Sequence, residues 1–205
     1  ISAKKAYHGA THGALSLQSE EEFSQPFRPL LPGISHIEFN DVDEIEKITN
    51  HTAAVILETV QGEAGIRPAT KAFLQAVRNR CNETGTLLIL DEIQCGFGRT
   101  GTFWAFEQYD VIPDIVLTAK GMGGGMPIAA FMASQKVLSV FTENPILGHI
   151  TTFGGHPVNC AASLATVKVI QEEQLIEGVK LKAELFKSLL VHPAIKEVRG
   201  LGLML

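Results

Sequence analysis

Two segments of the sequence place a reactive side chain at the end of an apolar run. Leu87-Leu88-Ile89-Leu90 is apolar at every position and runs into Asp91-Glu92-Ile93-Gln94. Ile115-Val116-Leu117-Thr118-Ala119 runs into Lys120, followed at once by Gly121-Met122-Gly123-Gly124-Gly125. If both runs are strands, Asp91 and Lys120 emerge at the carboxyl edge of a sheet, where open α/β folds bind ligands. The plainer reading of Asp91 alone is a capping or turn aspartate. A lysine at such a strand end is expected to be partly desolvated, which disfavours its ammonium form and suits it to nucleophilic use. Glycines beside it let the backbone approach a bulky ligand. An amine for a Schiff base and an acid for a pyridinium nitrogen are the two groups that pyridoxal phosphate (PLP) chemistry requires.

Other spacings compete for attention. Gly96-Phe97-Gly98-Arg99-Thr100-Gly101 matches G-x-G-x-x-G after a predicted strand. A dinucleotide-binding turn needs a helix starting within that motif, and Thr102-Phe103-Trp104-Ala105-Phe106 carries neither a capping signal nor a helical stripe. His8 and His12 are spaced as two zinc ligands on a helix would be, but Gly9 and Gly13 interrupt that helix. They read as surface or hydrogen-bonded loop histidines, and no metal is expected. Cys81, Cys95 and Cys160 form no C-x-x-C pair, which argues against a zinc site or a disulfide framework.

The elements that would carry these residues follow an α/β pattern. Candidate strands are Ile34 to Phe39, Ala53 to Val60, Leu87 to Ile93, Ile115 to Ala119 and Ile128 to Ala133. The fully apolar run at 87–90 suits a central strand covered on both faces, hence a mostly parallel sheet flanked by helices. Phe73, Leu74, Val77 and Cys81 make one stripe of a helix from about Thr70 to Thr84, with Gly85 placed to end it. Further helices are expected from near Asp41, where Val42, Ile45 and Ile48 share a face, from Val158 to Gln171 and from Ile176 to Leu190.

Composition sets the bounds. The 205 residues are 45% hydrophobic and 19% charged, which is the make-up of a folded globular protein. The net charge of −5 gives no electrostatic reason to expect nucleic acid or an anionic membrane as partner. No run of 18 or more apolar residues and no leader pattern is seen, so the chain reads as cytoplasmic. Ile1 and the apolar Leu201-Gly202-Leu203-Met204-Leu205 do not look like natural ends.

Together these motifs resemble the class III aminotransferases of fold type I, the group that includes acetylornithine, ornithine and 4-aminobutyrate aminotransferases. The matching segments are Tyr7-His8-Gly9, Glu58 to Gly65, Leu90 to Gly101, Thr118 to Pro127, Thr151 to Pro157 and Val198 to Met204, in family order across essentially the whole chain. The resemblance implies a PLP-binding large domain over residues 1–196, lacking its N-terminal part, and the start of a small C-terminal domain over 197–205. It implies PLP as cofactor, with Lys120 as the Schiff-base lysine and proton carrier and Asp91 paired with the pyridine nitrogen. Gln94 would sit near the phenolic oxygen, with Ile93 and Tyr7 on the two ring faces. Thr152 would reach the cofactor phosphate of a neighbouring subunit, making a homodimer with shared sites, and Thr151 would contact substrate. Glu63 matches a glutamate that pairs with a C-terminal arginine in relatives acting on ω-amino groups.

The reaction so implied moves an amino group from an ω-amino donor such as ornithine, acetylornithine or 4-aminobutyrate to a 2-oxo acid such as 2-oxoglutarate. A racemase or aminomutase of the same family, and a non-catalytic homologue, are the alternatives. One departure is Ala10, where many relatives carry an arginine that holds a substrate carboxylate; alanine forms no such contact. The family's phosphate-cradling loop and switch arginine have no counterpart here, so the 205 residues alone are expected to turn over little.

Overall fold

The computed structural model of the chain describes residues 1–143 and 150–205. The strands are β1 (Ser2–Ala3), β2 (His36–Ile37), β3 (Ala54–Glu58), β4 (Val60–Gln61), β5 (Arg67–Pro68), β6 (Leu87–Asp91), β7 (Ile115–Thr118) and β8 (Ala130–Ala133). The α-helices are α1 (His12–Ser16), α2 (Glu21–Ser24), α3 (Lys71–Thr84), α4 (Gln135–Leu138), α5 (Pro157–Glu172) and α6 (Val179–Leu189). Six of these strands form one sheet in the order β2-β1-β3-β6-β7-β8. Every pairing in it is parallel except β7 with β8. Among the described residues no helix is long and apolar enough to cross a membrane.

The sheet and α3 share a core. Val55, Leu57, Leu88 and Leu90 are fully buried with Phe73, Leu74 and Val77 of α3, and Cys81 is 1% exposed in the same cluster. Each such side chain contributes about 1.5–3 kcal/mol by leaving water. Both ends of α3 are set by the sequence: the Thr70 hydroxyl accepts from Phe73 N–H at 3.2 Å, and Gly85 closes the helix at φ 73°. Burial also pushes the Cys81 thiol up to about 11 and the Cys95 thiol well above its ordinary value, so neither is poised as a nucleophile.

Several expected elements come out differently. The run from Ile34 to Phe39 yields only His36–Ile37, because its sole partner, β1, is itself two residues long. The run from Ala53 divides at Thr59, and β4 turns away to pair antiparallel with β5. The helix expected near Asp41 is a five-residue 3₁₀ turn, Asp43–Lys47, opened by Asp43 N–H donating to Asp41 Oδ1 at 2.9 Å. Ile45 and Ile48, three apart, still point inward, whereas Val42 is exposed. The last predicted strand forms as β8 but runs antiparallel, at the sheet edge. The link from β7 to β8 holds a 3₁₀ turn, Lys120–Gly123, and has no room for the helix of a parallel crossover.

Candidate active site

The register of the sheet brings three chain positions to one edge. Glu58 stands opposite Asp91, and Asp91 opposite Leu117, so β3, β6 and β7 end side by side. Lys120 follows two residues after the end of β7, at φ 41°, a left-handed conformation uncommon for a residue with a side chain. A cavity of about 240 Å³ opens there, lined by Tyr7, His8, Gly9, Glu58, Asp91, Ile93, Gln94 and Lys120. A second, of about 580 Å³, shares Tyr7 and Lys120 and adds Glu63, Lys5, Glu20 and Phe23 among its walls.

Asp91 is 4% exposed, and both of its carboxylate oxygens have partners. Oδ1 accepts from Ile93 N–H at 3.0 Å, and Oδ2 lies 2.9 Å from Nδ1 of His8. The far nitrogen of His8, Nε2, is 3.5 Å from the Ser2 hydroxyl. Asp91 is therefore a fixed, oriented acid: its bond to Ile93 N–H is that of a turn aspartate, and the same carboxylate lines the cavity. Glu58 accepts from Tyr7 N–H at 2.9 Å and from Gly62 N–H at 3.0 Å. Desolvation raises its pKa, opposed by those two hydrogen bonds. The neighbouring Glu92 faces the other way, fully buried. It accepts from Thr59 Oγ1 at 2.5 Å, Ala105 N–H at 2.7 Å and Phe106 N–H at 3.2 Å, and anchors the 3₁₀ turn Ala105–Tyr109.

Of the predicted residues, Lys120, Asp91, Tyr7, Ile93 and Gln94 line the smaller cavity together. Glu63 joins them through Gln94 Nε2, which lies 3.3 Å from its Oε1, and lines the larger one. A Cβ on Gly62 would fall 2.4 Å from Gln94 Oε1, so a side chain there would displace the Gln94 amide. Thr151 and Thr152 are exposed in the turn before α5 and line neither cavity. The expected desolvation of Lys120 is not observed: its side chain is exposed. The 3₁₀ turn it begins lifts it clear of the sheet edge, beyond the cover that buries Thr118.

His8 and Glu58 were missed as site residues. Glu58 ends an apolar run just as Asp91 does, so the rule that singled out Asp91 finds it too. His8 does form a hydrogen bond in a loop, as the sequence suggested, but its side chain is 1% exposed and rests against Asp91, while His12 is exposed at the start of α1. No helix starts within Gly96–Gly101. Its glycines serve packing instead: a Cβ on Gly96 would meet the Glu92 carbonyl at 2.8 Å, and one on Gly98 the Ile176 side chain at 2.7 Å.

Comparison with known proteins identifies the family. The profile of the family described as Aminotransferase class-III matches residues 1–205. The chain belongs to the class-III aminotransferase family. An acetylornithine aminotransferase of Methanopyrus kandleri is 47% identical over 208 residues, covering 100% of this chain and 53% of that protein. A putrescine aminotransferase of Pectobacterium atrosepticum is 45% identical, covering 100% of this chain and 46% of its own length. The ornithine aminotransferase of Toxoplasma gondii, solved with partial occupancy of PLP at its active site, superposes with a TM-score of 0.91 at 32% identity, covering 98% of this chain and 49% of that one. The fold is thus that of the fold type I aminotransferases, and this class-III chain spans about half the length of the curated relatives it matches.

Proposed function

We propose that the protein is a PLP-dependent aminotransferase that takes an amino group from an ω-amino donor and delivers it to a 2-oxo acid such as 2-oxoglutarate. The observation that carries this reading is one cavity lined at once by Lys120, the buried and oriented Asp91, Tyr7 and Gln94. The residues fit the ring of the cofactor: an amine on a glycine-rich turn, a fixed acid, an aromatic and an aliphatic wall, and an amide that can donate a hydrogen bond. Relatives named for acetylornithine and putrescine support a donor whose reacting amine is at the end of a chain.

Bound here, PLP supplies an electron sink for the carbanion formed at the substrate carbon. Lys120 Nζ would hold the cofactor covalently and would carry the proton to and from that carbon. Asp91 would keep the ring nitrogen protonated, with His8 Nδ1 and Ile93 N–H holding the carboxylate still. Tyr7 and Ile93, which line the same cavity, would supply the apolar walls against the ring. Glu58, by binding the Tyr7 and Gly62 amides, fixes one ring wall and the loop that carries Glu63. Glu63 meets the substrate from the larger cavity, with Thr151 as a further substrate contact.

Thr152 reaches the cofactor phosphate of a second copy in a homodimer with shared sites. Its exposure beside Phe153, itself 77% exposed, supports a surface made for another chain. Residues 1–196 are read as the cofactor-binding large domain and 197–205 as the opening of a smaller one. This is supported by the stretch 191–200, which has neither helix nor strand.

The test is chemical. The full-length protein is expected to show a visible absorbance band that borohydride abolishes while fixing the cofactor to Lys120. If Lys120→Ala kept both the band and full turnover with ornithine and 2-oxoglutarate, the assignment would be wrong.

A further inference from the structure

The loop 62–66 closes the hairpin between β4 and β5 and carries Glu63 to the wall of the 580 Å³ cavity, which Lys120 also lines. Its backbone is strained. Gly65 lies at φ 84° and Ile66 at φ 50°, and the left-handed region is a genuine outlier for a β-branched residue. Bonds within the loop are long: Gly65 N–H and Ile66 N–H share the Gly62 carbonyl, each at 3.3 Å. Such a conformation persists only where its surroundings over-determine it.

Those surroundings come from far along the chain. Arg199 Nε donates to the Gly65 carbonyl at 2.6 Å across 134 positions, and a Cβ on Gly65 would lie 3.1 Å from Nη2 of the same guanidinium. Arg199 Nη1 also donates to Glu197 Oε2 at 2.8 Å, which orients the group. Ile66 packs on the cluster of Val60, Cys95, Ala105 and Met204, where Leu201 packs as well. The segment from Arg199 to Met204 thus grips the loop twice, once by its main chain and once by a side chain. We propose that Arg199 is a positioning residue for donor binding: it holds the 62–66 loop so that Glu63 stays at the cavity wall, and without it the loop relaxes and the carboxylate withdraws. This rests on the aminotransferase reading of the site, with Glu63 meeting the donor, and adds a residue that acts through that contact.

The experiment uses the full-length, PLP-loaded protein. The Arg199 side chain is 52% exposed, so Arg199→Met removes little packing and the fold is retained, as thermal unfolding checks. Hydrogen exchange of the peptide 60–68, followed by mass spectrometry, reads the loop without reference to turnover. Arg199→Met is expected to speed that exchange roughly tenfold, the usual worth of a hydrogen bond to a charged group, and Arg199→Lys, which keeps a cationic donor, to give back most of it. Turnover is measured with whichever of ornithine, acetylornithine and putrescine the wild type uses best, with 2-oxoglutarate as acceptor. Arg199→Met should raise the donor KM roughly tenfold and leave kcat within about twofold. In a Glu63→Gln background the same substitution should move KM by less than about twofold, because the group it positions is gone. Unchanged exchange in Arg199→Met, or an equal rise in KM with and without Glu63, would overturn the assignment. A wild-type protein with no visible band would instead overturn the aminotransferase reading itself.

Discussion

Asp91 and Glu92 are neighbours in sequence and opposites in use. The end of a strand alternates its side chains, so Asp91 faces the cavity and Glu92 turns inward to bind the amides of Ala105 and Phe106. Desolvation, the largest influence on Glu92, raises its pKa above the ordinary 4.5. The folded protein therefore holds that proton more tightly than the unfolded chain. The resulting stability is fully present below pH 4.5 and is lost as pH rises through the raised value. Glu92→Gln, which cannot titrate and turns an amide toward an N–H, is expected to be less stable than wild type by a margin that shrinks as pH rises across that window. Urea unfolding of the full-length protein at several pH values measures it, and a margin that widens with pH would contradict the burial argument. Asp91 was legible in the sequence because it ends an all-apolar run. The link to His8 was not, since 83 residues separate the two and only the folded sheet brings them within 2.9 Å.

At the scale of elements, legibility followed the source of the stabilising energy. Helix α3 is specified locally, by a capping threonine, an apolar stripe and a terminal glycine, and its boundaries were read to within a residue. Thr70→Ala is expected to destabilise the protein by about 1 kcal/mol, the usual loss for an N-cap; a thermal midpoint equal to wild type would show that the cap is dispensable. The short strands β1, β4 and β5 were missed for the opposite reason. Two residues carry no periodicity, and these pairs exist only because tertiary structure supplies a partner. The direction of β8 was equally hidden, because it is set by what the glycine-rich connection can span.

At the scale of the whole molecule, the last described residues lock onto a turn about a hundred positions earlier. Leu203 N–H donates to the Arg99 carbonyl at 2.9 Å, Met204 is 6% exposed beside Val60 and Cys95, and a Cβ on Gly202 would lie 2.5 Å from the backbone of Thr100. Backbone cannot step aside as a flexible side chain can. Gly202→Ala is therefore expected to cost about 2 kcal/mol or more, at the upper end of overpacking penalties, seen as a lowered urea midpoint in the full-length protein. The order β2-β1-β3-β6-β7-β8 has a kinetic corollary. The three pairings that carry Glu58, Asp91 and Lys120 to one edge join Ser2 with Ile56, Ala54 with Leu87 and Ile89 with Ile115. Each closes a long loop before any contact rewards it, which places the assembly of this edge among the slow steps of folding. Acquisition of cofactor by the nascent protein then reports that the central strands have found their register.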